Sequence, residues 1–173
     1  MPPIVLNKPL LDSATMSVFP DFSLQDEDGY LRYSNEFHPA LFVWLRQLGC
    51  HYARKQAAQL CKLEILDPIK LVLISPSPPS DARAFRRRHL GKTVCALLSD
   101  TPLRTYQTMS MKRQARPPIW AWLGDAKLGD PLQNGGIVLT RPNGEIHFHH
   151  HSYKAGQHPK SAELHKAMRR LKL

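Results

Sequence analysis

Apolar residues run unbroken through residues 40–45 and 70–74, alternate with polar ones through 22–24 and 30–33, and recur every three or four positions through 51–64 and 161–171. The unbroken runs predict strands buried on both faces, the alternating ones a hairpin closed by the turn DEDG, and the helical interval two amphipathic helices. Between them, Ser80 or Asp81 caps a helix running through the Arg-rich stretch to His89, and residues 93–98 form a third short strand. Residues 99–109 are a helical or irregular excursion, and residues 114–134, rich in Pro, Gly and Trp, a long connection. Gly135 and Gly136 open a strand at 137–140, RPNG turns the chain, and 145–151 returns as its partner before the last helix, which starts at Pro159 or Ser161. The order βαβα followed by ββα implies an α/β domain with a central mixed sheet, parallel strands first and an antiparallel pair last, flanked by helices and preceded by an N-terminal hairpin extension. Residues 1–18, with three prolines and no period, read as an irregular, frayed arm, leaving residues 19–173 as one domain.

Composition narrows the setting. With 42% hydrophobic and 22% charged residues among 173, the chain is expected to fold, and neither a disordered nor a collagen-like polymer fits. No apolar stretch reaches the length of a membrane span and the first residues lack a signal-peptide pattern, so a cytoplasmic protein with no membrane partner is expected. Three cysteines do not make a disulfide framework and point to reduced thiols.

The most informative local feature is a strand, a glycine and a cysteine ahead of a helix: residues 40–45, then Arg46, Gln47, Leu48, Gly49 and Cys50. A thiol at a helix start faces free backbone N–H groups and the positive end of the dipole, which favour the thiolate, the form that attacks peroxides and disulfides. Gly49 would let the chain turn sharply and leave the sulfur open. Arg46 and Arg54 are candidates to stabilise the thiolate and the departing oxygen, His51 to move protons, and Tyr52 to line the substrate site. The plainer reading is a small buried residue at a strand–helix corner. Cys61 lies eleven residues along the same helix, about 16 Å away at ~1.5 Å per residue, beyond disulfide reach. Cys95, inside the third strand, reads as a packed core thiol.

The segment LFVWLRQLGCHYARKQAAQL resembles the active-site segment of the alkyl hydroperoxide reductase/thiol-specific antioxidant family, in particular its peroxiredoxin-like branch, within the thioredoxin superfamily. SVFPDFSLQDEDG resembles the Pro-Asp-Phe lead-in of that superfamily, and LQNGGIVLTRPNGEIHFHHHSYKAGQHPKSAEL its Gly-Gly hairpin, His-Pro turn and last helix. The resemblance, in order from about residue 19 to 168, implies a thioredoxin-like fold without cofactor. It implies Cys50 as redox nucleophile, and Gly135 and Gly136 as a bare backbone near it that pairs with an extended partner. A homodimer is among the associations considered. The chain departs from the family at Ala53, where a second cysteine is usual, and at Gln157, where Asp is usual; Val43 and Gln47 stand where true peroxiredoxins have Pro and Thr. A lone cysteine would need an external thiol such as glutathione or thioredoxin to resolve a sulfenic acid.

Two further features stand outside this scheme. In EIHFHHHS the strand period places His147, His149 and His151 on one face, a weak zinc-ligand candidate set against the plain role of a polar edge strand. The formal charge of +10 gathers at residues 83–92, 111–116 and 166–172, mostly as solvated helix faces. With Trp120 and Trp122 as stacking surfaces it keeps nucleic acid as the minor alternative. The leading expectation is therefore a thiol peroxidase or oxidoreductase with one active cysteine. The alternative is a redox-inactive binding or scaffolding module that uses its basic surface.

Overall fold

In the computed structural model, residues 17–114, 132–154 and 156–171 are described. Seven strands make one sheet in the order β2-β1-β5-β4-β3-β6-β7: β1 (Ser23–Asp26), β2 (Leu31–Tyr33), β3 (Ala40–Trp44), β4 (Lys70–Ser75), β5 (Ala96–Ser99), β6 (Gly136–Thr140) and β7 (Ile146–His151). The inner strands β3, β4 and β5 are parallel, with β6 and β1 antiparallel beside them. The helices are α1 (His51–Cys61), α2 (Pro79–Phe85), α3 (Arg104–Thr108) and α4 (Ser161–Arg170).

The unbroken apolar run of β3 is explained by two cores, one on each face of the sheet. Leu41, Val43, Leu73, Leu97 and Leu139 face α1, α2 and α4. Phe42, Trp44, Val72, Ile74 and Leu98 face Phe19, Phe37, Tyr106 and Met109. All five residues of β3 are fully buried, and each large side chain contributes about 1.5–3 kcal/mol of apolar transfer.

Several boundaries differ from the sequence expectation, each for a local reason. The third strand starts at Ala96 and not at residue 93, so Cys95 precedes it: Arg86 Nη2 takes the Cys95 carbonyl at 2.6 Å and Nη1 the Thr93 carbonyl at 3.2 Å, while Val94 is 94% exposed. Helix α2 begins at Pro79, ahead of the expected Ser80 or Asp81 cap, because proline's fixed φ suits a first helical position. It continues as a π-helical turn, Arg86–Leu90, stopped by Gly91 at φ +57°. The hairpin is no appendage, since β1 pairs with β5 and extends the sheet. Its turn is closed by Asp26 Oδ1, which accepts the N–H groups of Asp28 and Tyr30. Residues 17 and 18, expected within the frayed arm, are paired: Ser17 O accepts Ile146 N–H at 2.9 Å, and Val18 bridges Glu145. The rest of the N-terminal arm, most of the connection at 114–134 with Trp120 and Trp122, and Lys172 lie outside the described residues.

Candidate active site at the start of helix α1

At the carboxyl end of β3 the chain is held before it turns into α1. Leu45 N–H donates to Ile74 O at 2.8 Å. The Tyr106 hydroxyl sits between the carbonyls of Leu45 and Ile74 at 2.5 and 3.0 Å. Tyr106 is fully buried, and burial pushes its phenol well above the usual range, so it stays a neutral donor. Beneath it, Trp44 Nε1 donates to Thr105 Oγ1 (2.9 Å), whose hydroxyl donates to Asp100 Oδ2 (2.6 Å). Asp100 also accepts the N–H groups of Arg104 and Thr105 and so fixes α3 under the strand ends. This buried network was not foreseen from the sequence; the signal available was only Asp100 ahead of a short helical stretch with Thr105 and Tyr106.

Cys50 occupies the N-cap position of α1. Its N–H donates to Gln47 O at 3.0 Å, and its carbonyl accepts Arg54 N–H at 3.1 Å as the first helical bond. No side chain caps the helix, so the free N–H groups and positive dipole end lie nearest to this residue. The expectation that Gly49 leaves the sulfur open is corrected: Cys50 is 5% exposed, flanked by Leu48 at 2% and Ala53 at 1%.

The candidate residues around Cys50 separate into two groups. Arg46 is buried at 5% exposure at the end of β3. Together with Ala53, Gln56, Gly135, Ser152 and His158 it borders a cavity of about 10 Å³, room for little more than one water. His51 and Arg54 lie on the exposed side of α1, outside that enclosure. Tyr52 packs its ring over Gly156, where a Cβ would come within 2.8 Å of it.

Gly135 and Gly136 do stand beside the strand end, but their backbone is already engaged, contrary to the extended-partner expectation. Gly135 O accepts Ser152 N–H at 3.0 Å, and Gly136 is paired with Trp44 on one side and His151 on the other. Gly135 is glycine because a Cβ would fall 2.0 Å from Trp44 O. Gln157, where the resembled family has Asp, accepts Tyr153 N–H through Oε1 (3.0 Å) and the Ser152 hydroxyl through its carbonyl. It closes its own turn and also lines the small cavity bordered by Arg46 and Ala53.

All three cysteines are free. Cys61 is the last residue of α1, and Cys95 leads into the opposite end of the sheet, half-buried, with Arg86 Nη2 3.7 Å from its sulfur. Burial pushes the Cys95 thiol up, outweighing the nearby Arg86 charge. Neither supplies Cys50 with a resolving partner.

The histidine set is also corrected. Leu139 pairs with Phe148 but Thr140 with Ile146, so a bulge leaves His147 unpaired and breaks the alternation. His147 Nδ1 meets Arg141 Nη2 at 3.0 Å, whereas His149 and His151 remain neighbours with ring centroids 5.6 Å apart. Among the described residues no group of three His, Cys, Asp or Glu side chains is placed to hold a metal ion, and no helix is long and apolar enough to cross a membrane.

No known protein family and no curated protein matches the sequence. Solved structures do match the fold. The thiol peroxidase from Chromobacterium violaceum aligns with a TM-score of 0.68 at 18% identity, over 90% of this chain and 86% of that one. The peroxiredoxin-like protein from Aquifex aeolicus gives 0.69 at 11%, over 95% and 90%, and peroxidoxin BcpB from Mycobacterium tuberculosis 0.66 at 16%, over 91% and 97%. The chain thus has a thioredoxin-like fold in the arrangement of peroxiredoxin-like proteins, in agreement with the order of elements expected from the sequence.

Proposed function

We propose that the protein is a thiol-dependent redox protein in which Cys50 is the single nucleophile. The observation that carries this reading is the position of Cys50: the uncapped N-terminus of α1, at the carboxyl end of an inner strand of a thioredoxin-like sheet. Its 5% exposure favours the smaller oxidant. A hydroperoxide of a few atoms reaches a nearly covered sulfur through side-chain fluctuation, whereas a disulfide within a folded protein does not.

The thiolate attacks the near oxygen of the peroxide, the O–O bond breaks, and the departing alkoxide or hydroxide takes a proton, leaving a sulfenic acid at Cys50. An external low-molecular-weight thiol condenses with it, releasing water and forming a mixed disulfide. A second thiol then displaces Cys50 and leaves as the external disulfide. In this reading Arg46, buried just past the end of β3, stabilises the departing oxygen. A cytoplasmic setting with glutathione as reductant belongs to the same proposal.

The test is peroxide consumption with glutathione, together with intact mass after peroxide alone. Turnover and a one-oxygen mass gain are expected in the protein and in Cys61→Ser and Cys95→Ser, and neither in Cys50→Ser. Turnover that survives Cys50→Ser overturns the proposal. The missing partner thiol at Ala53 and the covered Cys50 favour one rival, a thioredoxin fold kept as a binding module. Absence of both turnover and mass gain in the unaltered protein would overturn the redox proposal and leave that rival.

A further inference from the structure

The cavities beside α1 hold about 10 and 20 Å³, yet at the other end of the parallel strands a cleft of about 780 Å³ opens, within the range of small-molecule sites. It lies where β4 and β5 begin, between the loop that follows α1 and the segment ahead of β5. Phe37, Ile69 and Leu71, each 5–6% exposed, give it an apolar floor, and the highly exposed Val94 stands on its rim.

Its charge is one-sided. Arg32, Lys70 and Lys92 line the cleft against the single carboxylate of Asp67. Arg32 lies over the Phe37 ring at 5.3 Å and is held by Glu36 at 2.9 Å. Lys70 Nζ donates to the Glu36 carbonyl at 2.7 Å, a contact that fixes the ammonium without neutralising it. Lys92 is exposed and forms no ion pair among the described residues. Arg32 also lies 3.9 Å from Asp26, so its charge is offset by two carboxylates, and the ammonium groups of Lys70 and Lys92 remain for an occupant against Asp67. Cys95 borders the same space, so an occupant would lie against its thiol.

We infer that this cleft binds a small amphipathic anion, an apolar body of ligand size bearing one anionic head group that Lys92 and Lys70 hold at the rim. The inference is independent of Cys50, which lies at the opposite end of the sheet.

Decanoate, decanol and decylamine, matched in chain and differing in charge, are titrated into the full-length protein by competition with the fluorescent anion 8-anilinonaphthalene-1-sulfonate. Decanoate is expected to bind at least tenfold more tightly than the other two. Lys92→Glu, a change at an exposed position, is expected to weaken decanoate at least tenfold while leaving decanol unchanged, and Asp67→Asn to tighten decanoate. Saturating decanoate is expected to slow maleimide modification of Cys95, read by peptide mass, and Cys50→Ser to leave all of these values unaltered. Equal binding of decanol and decanoate, indifference to Lys92→Glu with native circular dichroism, or unprotected Cys95 overturns the inference.

Discussion

Ala53 lies one helical turn beyond Cys50, is 1% exposed, and stands where the family that the sequence resembles has a second cysteine. Side chains three apart on a helix lie about 5–6 Å apart at Cβ, close enough for a disulfide after small adjustment. Ala53→Cys is therefore expected to convert peroxide-treated protein from a sulfenic acid that needs an added thiol into an intramolecular disulfide, lighter by two hydrogens than the reduced form. Persistence of sulfenic acid in that variant would show that the two positions do not converge. Two glycines illustrate different local constraints. A Cβ at Gly135 would fall 2.0 Å from the Trp44 carbonyl, an atom of a central strand that cannot withdraw; Gly135→Ala is expected to lower stability by about 3 kcal/mol or more in urea unfolding. Gly29 has open space around it and only φ +87° to protect; Gly29→Ala is expected to cost about 1–2 kcal/mol. Equal losses would refute this distinction between clash and backbone strain.

Among the elements, α3 and β7 show what a linear pattern hides. Residues 99–109 are legible only as helical or irregular, because the helix is five residues long and its order comes from Asp100 holding its first turn and from Thr105 and Tyr106 bonding to strands distant in sequence. Tyr106→Phe removes the donor to Leu45 O and is expected to cost about 1–2 kcal/mol. It is also expected to alter the alkylation rate of Cys50, five residues further on, without touching it; an unchanged rate would separate the network from the thiol. In β7 the strand was legible from EIHFHHHS, but the bulge that turns His147 aside depends on its pairing with β6. Burial lowers the pKa of His150, His151 and His158, aided at His151 by His149, His150 and Lys112 and at His158 by His150 and Lys55, while Glu163 opposes it at His150. His38 and His147 are lowered by burial as well. The folded chain thus binds fewer protons than the unfolded one, whose histidines titrate near about 6.5. Stability is expected to be full above that pH and to fall as the pH drops through it toward the lower folded-state values. Thermal midpoints at pH 7.5 and 5.5 should show the decline, and His150→Gln with His151→Gln should shrink it; a midpoint that rises on acidification would contradict the sign.

For the whole molecule, the inner strands were readable because buried strands announce themselves: residues 40–45 and 70–74 are apolar throughout as both faces of the sheet are covered. What the sequence could not show was how the charge is spent and where open space lies. The basic stretch at 83–92 reads as a free helix face, yet Arg86 pairs with Glu27, and Arg83 donates to Glu27 O at 3.0 Å and lies 3.4 Å from Asp28. Part of that charge ties α2 to the hairpin turn instead of facing solvent. The large cleft was equally hidden, since its walls come from β2, the loop after α1 and the approach to β5, segments that no single motif links. With the acidic turn folded against the first basic run, duplex DNA is expected to bind only nonspecifically, with Kd of about 10⁻⁴–10⁻⁶ M at physiological salt. Binding should weaken as salt rises and be indifferent to Cys50→Ser. Nanomolar binding with a steep salt dependence would instead make the basic surface the functional one and leave the thiol as a resident of its fold.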